Sequence, residues 1–106
     1  MEIFKEEIKM LKTIADSTRI QILDVLSCKE MCACEILELL TISQSTLSHH
    51  MKVLIESGLV KSRKEATWMY YSINYNKINK IHSFIDNITK EKQDCICYTK
   101  KGEETC

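Results

Sequence analysis

Two closely spaced cysteines, Cys32 and Cys34, carry the clearest chemical potential in this chain. They flank the start of a helical pattern, where the backbone dipole favours the thiolate, the form that binds soft ions. Ion binding and reversible oxidation are both open to such a pair. We therefore treat Cys32 and Cys34 as candidate ion ligands or redox groups.

The other cysteines extend the choice of ligands. Cys28 lies one short loop before the pair, while Cys95 and Cys97 repeat the Cys-x-Cys spacing near the C-terminal end. Either source could supply a third thiolate, from the same subunit or from another, and Cys95 with Cys97 could also form a site of their own. A lone cysteine usually packs as a small hydrophobe, so Cys28 and Cys106 could equally have no role in binding.

A helix with a polar face follows the thiols after a break at residues 41–43. Ser43 is a suitable N-cap, and Leu47 and Met51 begin an apolar stripe that runs toward Gly58. Steps of about 100° per residue place His50 near the edge of this stripe, where we expect it to be half buried. Ser45, His49 and Lys52 are expected to lie opposite the stripe, with Thr46 and Ser48 at its flanks. Together with Gln44 they are the candidate DNA-binding residues of this helix. The pattern predicts the reading helix of a helix-turn-helix.

The apolar period changes after that helix. Residues 59–63 and 67–73 are short and rich in Val, Trp and Tyr, which predicts a two-stranded hairpin. The cations of this hairpin are Lys61, Arg63 and Lys64. We expect them to lie along DNA phosphates, although they could instead only keep the hairpin in solution. Its aromatic residues are expected to pack against the helices; they are Trp68, Tyr70 and Tyr71.

Further helices must support these elements. Apolar spacing predicts a first helix over residues 2–15 and a second that Ser17 caps, whose Arg19 needs a carboxylate or backbone partner. A short third helix is predicted over residues 33–40, with inward residues Ile36, Leu39 and Leu40. Residues 78–88 predict a fifth helix whose stripe can cover only the first helix or another copy of the chain. We therefore predict a homodimer through the first and last helices.

Composition limits the class of protein. The chain has 106 residues, 44% of them hydrophobic, with no Pro and two Gly, which favours one mainly helical domain. The charged N-terminal stretch predicts neither a signal peptide nor a membrane span, so we expect a cytoplasmic protein with reduced thiols. Net charge is zero, but residues 41–67 carry four basic and two acidic residues, a local excess that suits DNA. An enzyme is not expected, because the chain lacks a Gly-rich loop and a Cys-x-x-Cys motif.

Three runs of residues resemble one known family, and they are ADSTRIQIL, MCACEILELL and SQSTLSHHMKVLIESGLVKSRKEATWMYYSI. The resemblance is to the ArsR/SmtB family of metal- and metalloid-sensing repressors. It implies a mainly α winged helix-turn-helix, in the order ααααββα, that binds an imperfectly palindromic double-stranded operator as a homodimer. It also implies that Gln44, Ser45, Thr46, Ser48 and His49 face the major groove, and that Arg63 and Lys64 belong to the wing.

The chain departs from this family at three places. Arsenic-responsive members carry Cys-x-Cys-x-x-Cys here, and Leu37 takes the third position, so a thiol from elsewhere must complete the site. Ala66 stands where the wing usually has Gly, and we expect a different turn because Ala disfavours positive φ. The family's paired zinc site on the last helix is not expected, because His82 is the sole histidine there.

These patterns together predict a repressor that leaves its operator when arsenite or antimonite binds Cys32 and Cys34. Release by cadmium, lead or zinc, or by disulfide formation, is the alternative on the same scaffold. We assign residues 1–92 to DNA binding and dimerisation and 93–106 to a flexible cysteine-containing tail. Residues two apart on a regular helix point about 200° apart, so one ion can reach both thiolates only if that first turn is irregular or opened.

Overall fold

Five helices and a three-stranded sheet make up the part of the chain that the structure, a computed structural model, describes, residues 3–91. The elements in chain order are α1 (Lys5–Ile14), α2 (Ser17–Leu26), β1 (Met31–Cys32), α3 (Ala33–Leu39), α4 (Gln44–Glu56), β2 (Val60–Glu65), β3 (Trp68–Ile73) and α5 (Tyr75–Thr89). The predicted order of helices and hairpin is confirmed. The strand β1 is an addition, because two residues are too few to show a period in sequence.

The sheet is antiparallel, with strand order β1-β3-β2. Cys32 pairs with Tyr70, and Tyr70 pairs with Arg63, so these three residues form one row across the sheet. Glu65 pairs with Trp68, which leaves Ala66 and Thr67 as the hairpin turn. The sheet thus joins the thiol segment directly to the hairpin.

The hairpin turn corrects one expectation. Ala66 has φ 57°, so it keeps the positive φ that a glycine would adopt more easily. Positive φ at the first central residue is what two-residue hairpin loops require, because it matches the twist of the strands. The prediction that alanine would change this feature was wrong.

Each reading-helix boundary has a chemical cause. The Ser43 side chain accepts a hydrogen bond from the Thr46 N–H at 3.1 Å, which confirms the predicted N-cap. At the other end, Gly58 has φ 86°, and Asn74 Nδ2 donates to its carbonyl oxygen at 2.9 Å. Hydrogen bonds within the chain therefore fix both ends of α4.

The start of α2 differs from the prediction. Asp16, rather than Ser17, is the N-cap, and its carboxylate accepts from the N–H groups of Thr18 at 3.0 Å and Arg19 at 3.1 Å. Aspartate and serine are equally good caps, so adjacent candidates cannot be separated by type alone. The carboxylate adds favourable charge at the helix N-terminus.

A single core lies between the helices and the sheet. Its most buried residues are Met10, Ile22, Ile36, Leu54 and Leu59. Two predicted core residues are exposed instead: Leu39 at 58% and Trp68 at 52%. Leu39 ends the seven-residue α3, and Trp68 begins β3 at the tip of the hairpin, beyond the reach of the helices.

α1 and α5 pack together and continue outward as an apolar surface. The rings of Phe4 and Phe84 lie 5.2 Å apart, and Lys77 Nζ donates to Glu6 Oε2 at 2.7 Å. Several apolar side chains of this pair of helices and the turn before α1 are exposed by 42 to 65%: Ile3, Phe4, Ile8, Ile85 and Ile88. Within residues 3–91, no helix is both long and apolar enough to cross a membrane.

Candidate nucleic-acid interface and thiol site

The polar face of α4 lies where sequence reasoning placed it. Leu47, Met51 and Leu54 are buried, which turns the opposite side of the helix outward. The residues exposed on that side are Gln44, Ser45, Ser48, His49 and Lys52. Thr46 is half-buried, and its hydroxyl oxygen accepts from Ser43 Oγ at 2.9 Å. Five of the six predicted side chains on α4 are therefore free of the core.

His50 ties α4 to the start of α2. Its Nδ1 lies 3.2 Å from Arg19 Nη1 and 4.0 Å from Asp16 Oδ1. Arg19 also donates from Nε to the carbonyl oxygen of Thr13 at 2.7 Å, so one guanidinium joins the end of α1, the start of α2 and α4. This confirms that Arg19 has carboxylate and backbone partners and that His50 is half-buried.

Asp16 supports this junction by charge. The Arg19 backbone N–H, followed by the charges of Arg19 and His50, lowers the pKa of the Asp16 carboxyl. The carboxylate is thus ionised at neutral pH and both caps α2 and faces the Arg19 guanidinium. The junction sets the position of the reading helix on the rest of the fold.

The three hairpin cations are exposed but are not equivalent. Lys61 and Arg63 lie on one face of β2 and Lys64 on the other, because side chains alternate along a strand. Arg63 is held by two carboxylates: Nε and Nη2 donate to the Glu30 carboxylate, both at 2.8 Å, and Nη1 donates to Glu65 at 2.7 Å. Its guanidinium carbon also lies 4.9 Å from the centre of the Tyr70 ring.

These bonds change the electrostatics of the hairpin. The hydrogen bonds from Arg63 lower the pKa of the Glu30 carboxyl, and those to Glu30 and Glu65 raise the pKa of the Arg63 guanidinium. Sequence reasoning named Arg63 but missed Glu30, since the two are 33 residues apart and no local pattern connects them. The cation that was expected to lie on phosphate is therefore already paired within the chain.

The two thiols lie on opposite sides of a helix start. Cys32 is the N-cap of α3, with extended backbone (φ −87°, ψ 170°), and is 9% exposed, whereas Cys34 in the first turn is exposed. Cys32 N–H donates to Glu35 Oε1 at 3.1 Å within a capping box. This bond and the Lys29 ammonium lower the pKa of the Glu35 carboxyl.

The position of Cys32 removes the angular conflict that a regular helix would impose on the two thiols. Cys32 is outside the helix, so the regular angle between residues two apart on a helix does not apply to the pair. Cys28 is exposed, and across residues 3–91 no three His, Cys, Asp or Glu side chains converge on a metal-sized site. The two other candidate ligands, Cys95 and Cys97, lie outside the described residues.

Comparison with known proteins finds one family. The model described as "Bacterial regulatory protein, arsR family" matches residues 16–62. An "Arsenical resistance operon repressor" of Staphylococcus xylosus is 42% identical over 101 residues, with 95% of this chain and 97% of the relative covered. A "Cadmium resistance transcriptional regulatory protein CadC homolog" of Staphylococcus aureus is 35% identical over 74 residues, covering 69% of this chain and 61% of the relative.

A solved structure shares the fold. It is the homodimeric winged helix-turn-helix DNA-binding domain Mb0332 of Mycobacterium bovis, described as a possible ArsR-family transcriptional regulator. It has a TM-score of 0.68 and 26% identity, and the match covers 80% of this chain and 79% of that chain. These likenesses are to transcriptional regulators rather than to enzymes.

Proposed function

Since the chain belongs to the ArsR family of bacterial transcriptional repressors, we propose that it releases operator DNA when arsenite or antimonite binds Cys32 and Cys34. The observation that carries the proposal is the direct succession of the two parts: a buried thiol caps α3, and α4 follows with an exposed polar face. The similarity to an arsenical resistance operon repressor supports the choice of ion.

The DNA contact is assigned to α4 and the hairpin. Gln44, Ser45, Thr46, Ser48 and His49 would read the major groove, because short polar side chains on an exposed helix face can bond base edges. Phosphate contacts are assigned to Lys52, Lys61, Arg63 and Lys64. Such contacts position the protein without specifying sequence.

A gel shift tests the groove assignment. The paired change Ser48→Ala, His49→Ala is expected to weaken binding to operator DNA by at least about 30-fold, since each of the two lost base contacts costs at least about 1 kcal/mol. Gln21→Ala, on the exposed side of α2, is the control and should leave affinity unchanged. Equal affinity of the paired variant and the control would refute the assignment.

Ion binding would act through the cap of α3. A thiolate of Cys32 that ligates an ion no longer serves the capping box with Glu35, so the first turn of α3 loses part of its support. α3 packs against α4, and its Ile36 is fully buried. The ion therefore prefers the state in which α3 has moved, which is the differential affinity that release requires.

Two thiols leave the ligand set incomplete for trivalent arsenic, which suits three thiolates. We assign the third to Cys28, Cys95 or Cys97. Single Cys→Ser variants at positions 28, 32, 34, 95 and 97, scored for arsenite-induced release from DNA, identify the set. Loss of response confined to Cys32, Cys34 and one further cysteine is the expected result.

The second candidate is a sensor of cadmium, lead or zinc, and the similarity to a cadmium resistance regulator homolog favours it. Those ions usually take four ligands, so the response would need two further ligands in addition to Cys32 and Cys34, with Cys28, Cys95 and Cys97 as the candidates. Oxidation of the same thiols to a disulfide is the remaining alternative. If arsenite leaves the complex of reduced protein and DNA intact at concentrations at which cadmium dissolves it, the first proposal is wrong.

We further propose that residues 1–92 form the DNA-binding and dimerisation domain in the cytoplasm, and that 93–106 form a tail that carries ligands. The exposed apolar surface of α1 and α5 supports a homodimer through these helices. A homodimer also suits two half-sites of an imperfect palindrome, one DNA turn apart. Sedimentation of wild-type protein and of Ile88→Glu should show a dimer and a monomer, respectively.

A further inference from the structure

The guanidinium of Arg63 is bound to two carboxylates within the chain. Three of its five N–H groups donate to carboxylate oxygens, in a two-pronged bond to Glu30 and a single bond to Glu65. The Tyr70 ring lies over one face of the same group. A two-pronged bond to a carboxylate has the geometry that arginine also uses for phosphate.

The carboxylates of this cluster cancel the positive charge that a DNA-binding surface would offer. One guanidinium and two carboxylates sum to one negative charge, which repels phosphate. Lys61 on the same face of β2 adds one positive charge near Glu30. Arg63 can therefore offer Nε and Nη2 to a phosphate in a two-pronged bond only after it leaves Glu30, because Glu30 uses these same two donors.

We propose that Glu30 competes with DNA phosphate for Arg63 and so sets the DNA affinity of the hairpin; this rests on the proposed DNA-binding function. In the closed arrangement seen here, Arg63 lies on Glu30. In the DNA-bound arrangement, Arg63 lies on phosphate and Glu30 faces solvent. Glu30 thus acts as an internal substitute for phosphate and touches no DNA itself.

The position of Glu30 gives this competition a link to the thiols. Glu30 lies between Cys28 and Cys32 and immediately precedes β1. Cys32 is in the same row of the sheet as Tyr70 and Arg63. A shift of the segment that carries the thiols therefore moves the carboxylate relative to the guanidinium.

The salt dependence of DNA binding tests the proposal. The full-length, reduced protein is titrated, without added metal, onto a fluorescein-labelled 30-base-pair duplex of random sequence, because phosphate contacts do not depend on sequence. Fluorescence anisotropy is measured between about 50 and 200 mM KCl, the range over which counterion release is readily resolved. The slope of log affinity against log salt counts the phosphates contacted.

Glu30→Gln is expected to bind more tightly, by about 3- to 10-fold at low salt, and to steepen the slope by about 0.9 for each hairpin that touches the duplex. Glu38→Gln is the matched control, since it removes an exposed glutamate of α3 outside the Arg63 contacts. It should leave the slope unchanged. Adding Arg63→Gln to Glu30→Gln should return the slope to the wild-type value.

Two results would overturn the proposal: a Glu30→Gln slope equal to that of the wild type, or a gain that survives the addition of Arg63→Gln. If the wild-type protein binds the duplex and either of these results is obtained, the competition is refuted and the DNA-binding function is not. Failure of folded wild-type protein to bind the duplex even at low salt refutes the DNA-binding function and this inference with it. Far-ultraviolet circular dichroism confirms that each variant is folded.

Discussion

Arg19 joins three helices, and replacing it with methionine is expected to destabilise the fold by about 2–3 kcal/mol. The change Arg19→Met keeps most of the aliphatic stem and removes the guanidinium, with its bonds to the Thr13 carbonyl at 2.7 Å and to His50 Nδ1 at 3.2 Å. A hydrogen bond to a charged group contributes about 1.5–3 kcal/mol, and the lower end of this range applied to both bonds gives a loss of about 3 kcal/mol. The side chain is 15% exposed, so solvent only partly replaces what is lost.

Urea unfolding at one fixed protein concentration measures this effect. For a chain of this size the dependence of the unfolding free energy on urea is about 1–1.5 kcal/mol per molar, so the midpoint should fall by about 2 M. Lys64→Met, which removes an exposed cation from β2, is the control and should shift the midpoint little. A shift for Arg19→Met equal to that of the control would refute the role of Arg19 as a junction.

A double-mutant cycle separates the reading helix from the rest of the junction. Combining Arg19→Met with His50→Leu is expected to give a coupling energy of about 1 kcal/mol, because the two side chains are in contact. DNA affinity of Arg19→Met, measured where the protein remains folded, should also fall, since His50 belongs to α4. Zero coupling would mean that Arg19 acts through Thr13 alone.

Three further predictions concern the turn, the α2 cap and the hairpin tip. Ala66→Gly should raise the unfolding free energy by about 0.5–1 kcal/mol in urea, because alanine has φ 57° and glycine adopts that angle without steric cost. The lowered pKa of Asp16 means that its stabilisation is present above the unfolded-state pKa and is lost as pH falls through the folded-state value, so Asp16→Asn should lose less stability than the wild type between pH 5 and 3. The emission of Trp68, the one tryptophan of the chain, should change when DNA binds, whereas Trp68→Phe should show no such signal; saturating DNA that leaves the wild-type emission unchanged would place the hairpin tip away from the duplex.

The elements that sequence predicted well are those with their own local signals. α4 has an N-cap at Ser43, an apolar repeat and a glycine at its end, and each of these acts within a few residues. The hairpin has Val60 on one strand and a run of aromatic residues on the other, separated by a two-residue turn. Sequence therefore predicts these elements without knowledge of their tertiary contacts.

The features that sequence missed depend on distant partners or on position in the fold. The Glu30–Arg63 pair joins residues 33 apart, and β1 exists because β3 offers it a partner. Trp68 is exposed because it lies at the hairpin tip, although its residue type favours burial. Periodicity identifies which face of an element is apolar, but it does not show how far the neighbouring elements extend.

Cys32 is both the last residue of β1 and the N-cap of α3. Under the proposed function, an ion bound there acts in two directions. Through α3 it reaches the polar face of α4, and through the row Cys32–Tyr70–Arg63 it reaches the hairpin. Base contacts and phosphate contacts contribute separately to affinity, so small losses at both multiply in the dissociation constant. A displacement of the first turn of α3, with Glu30 kept on Arg63, can thus release DNA without unfolding any element.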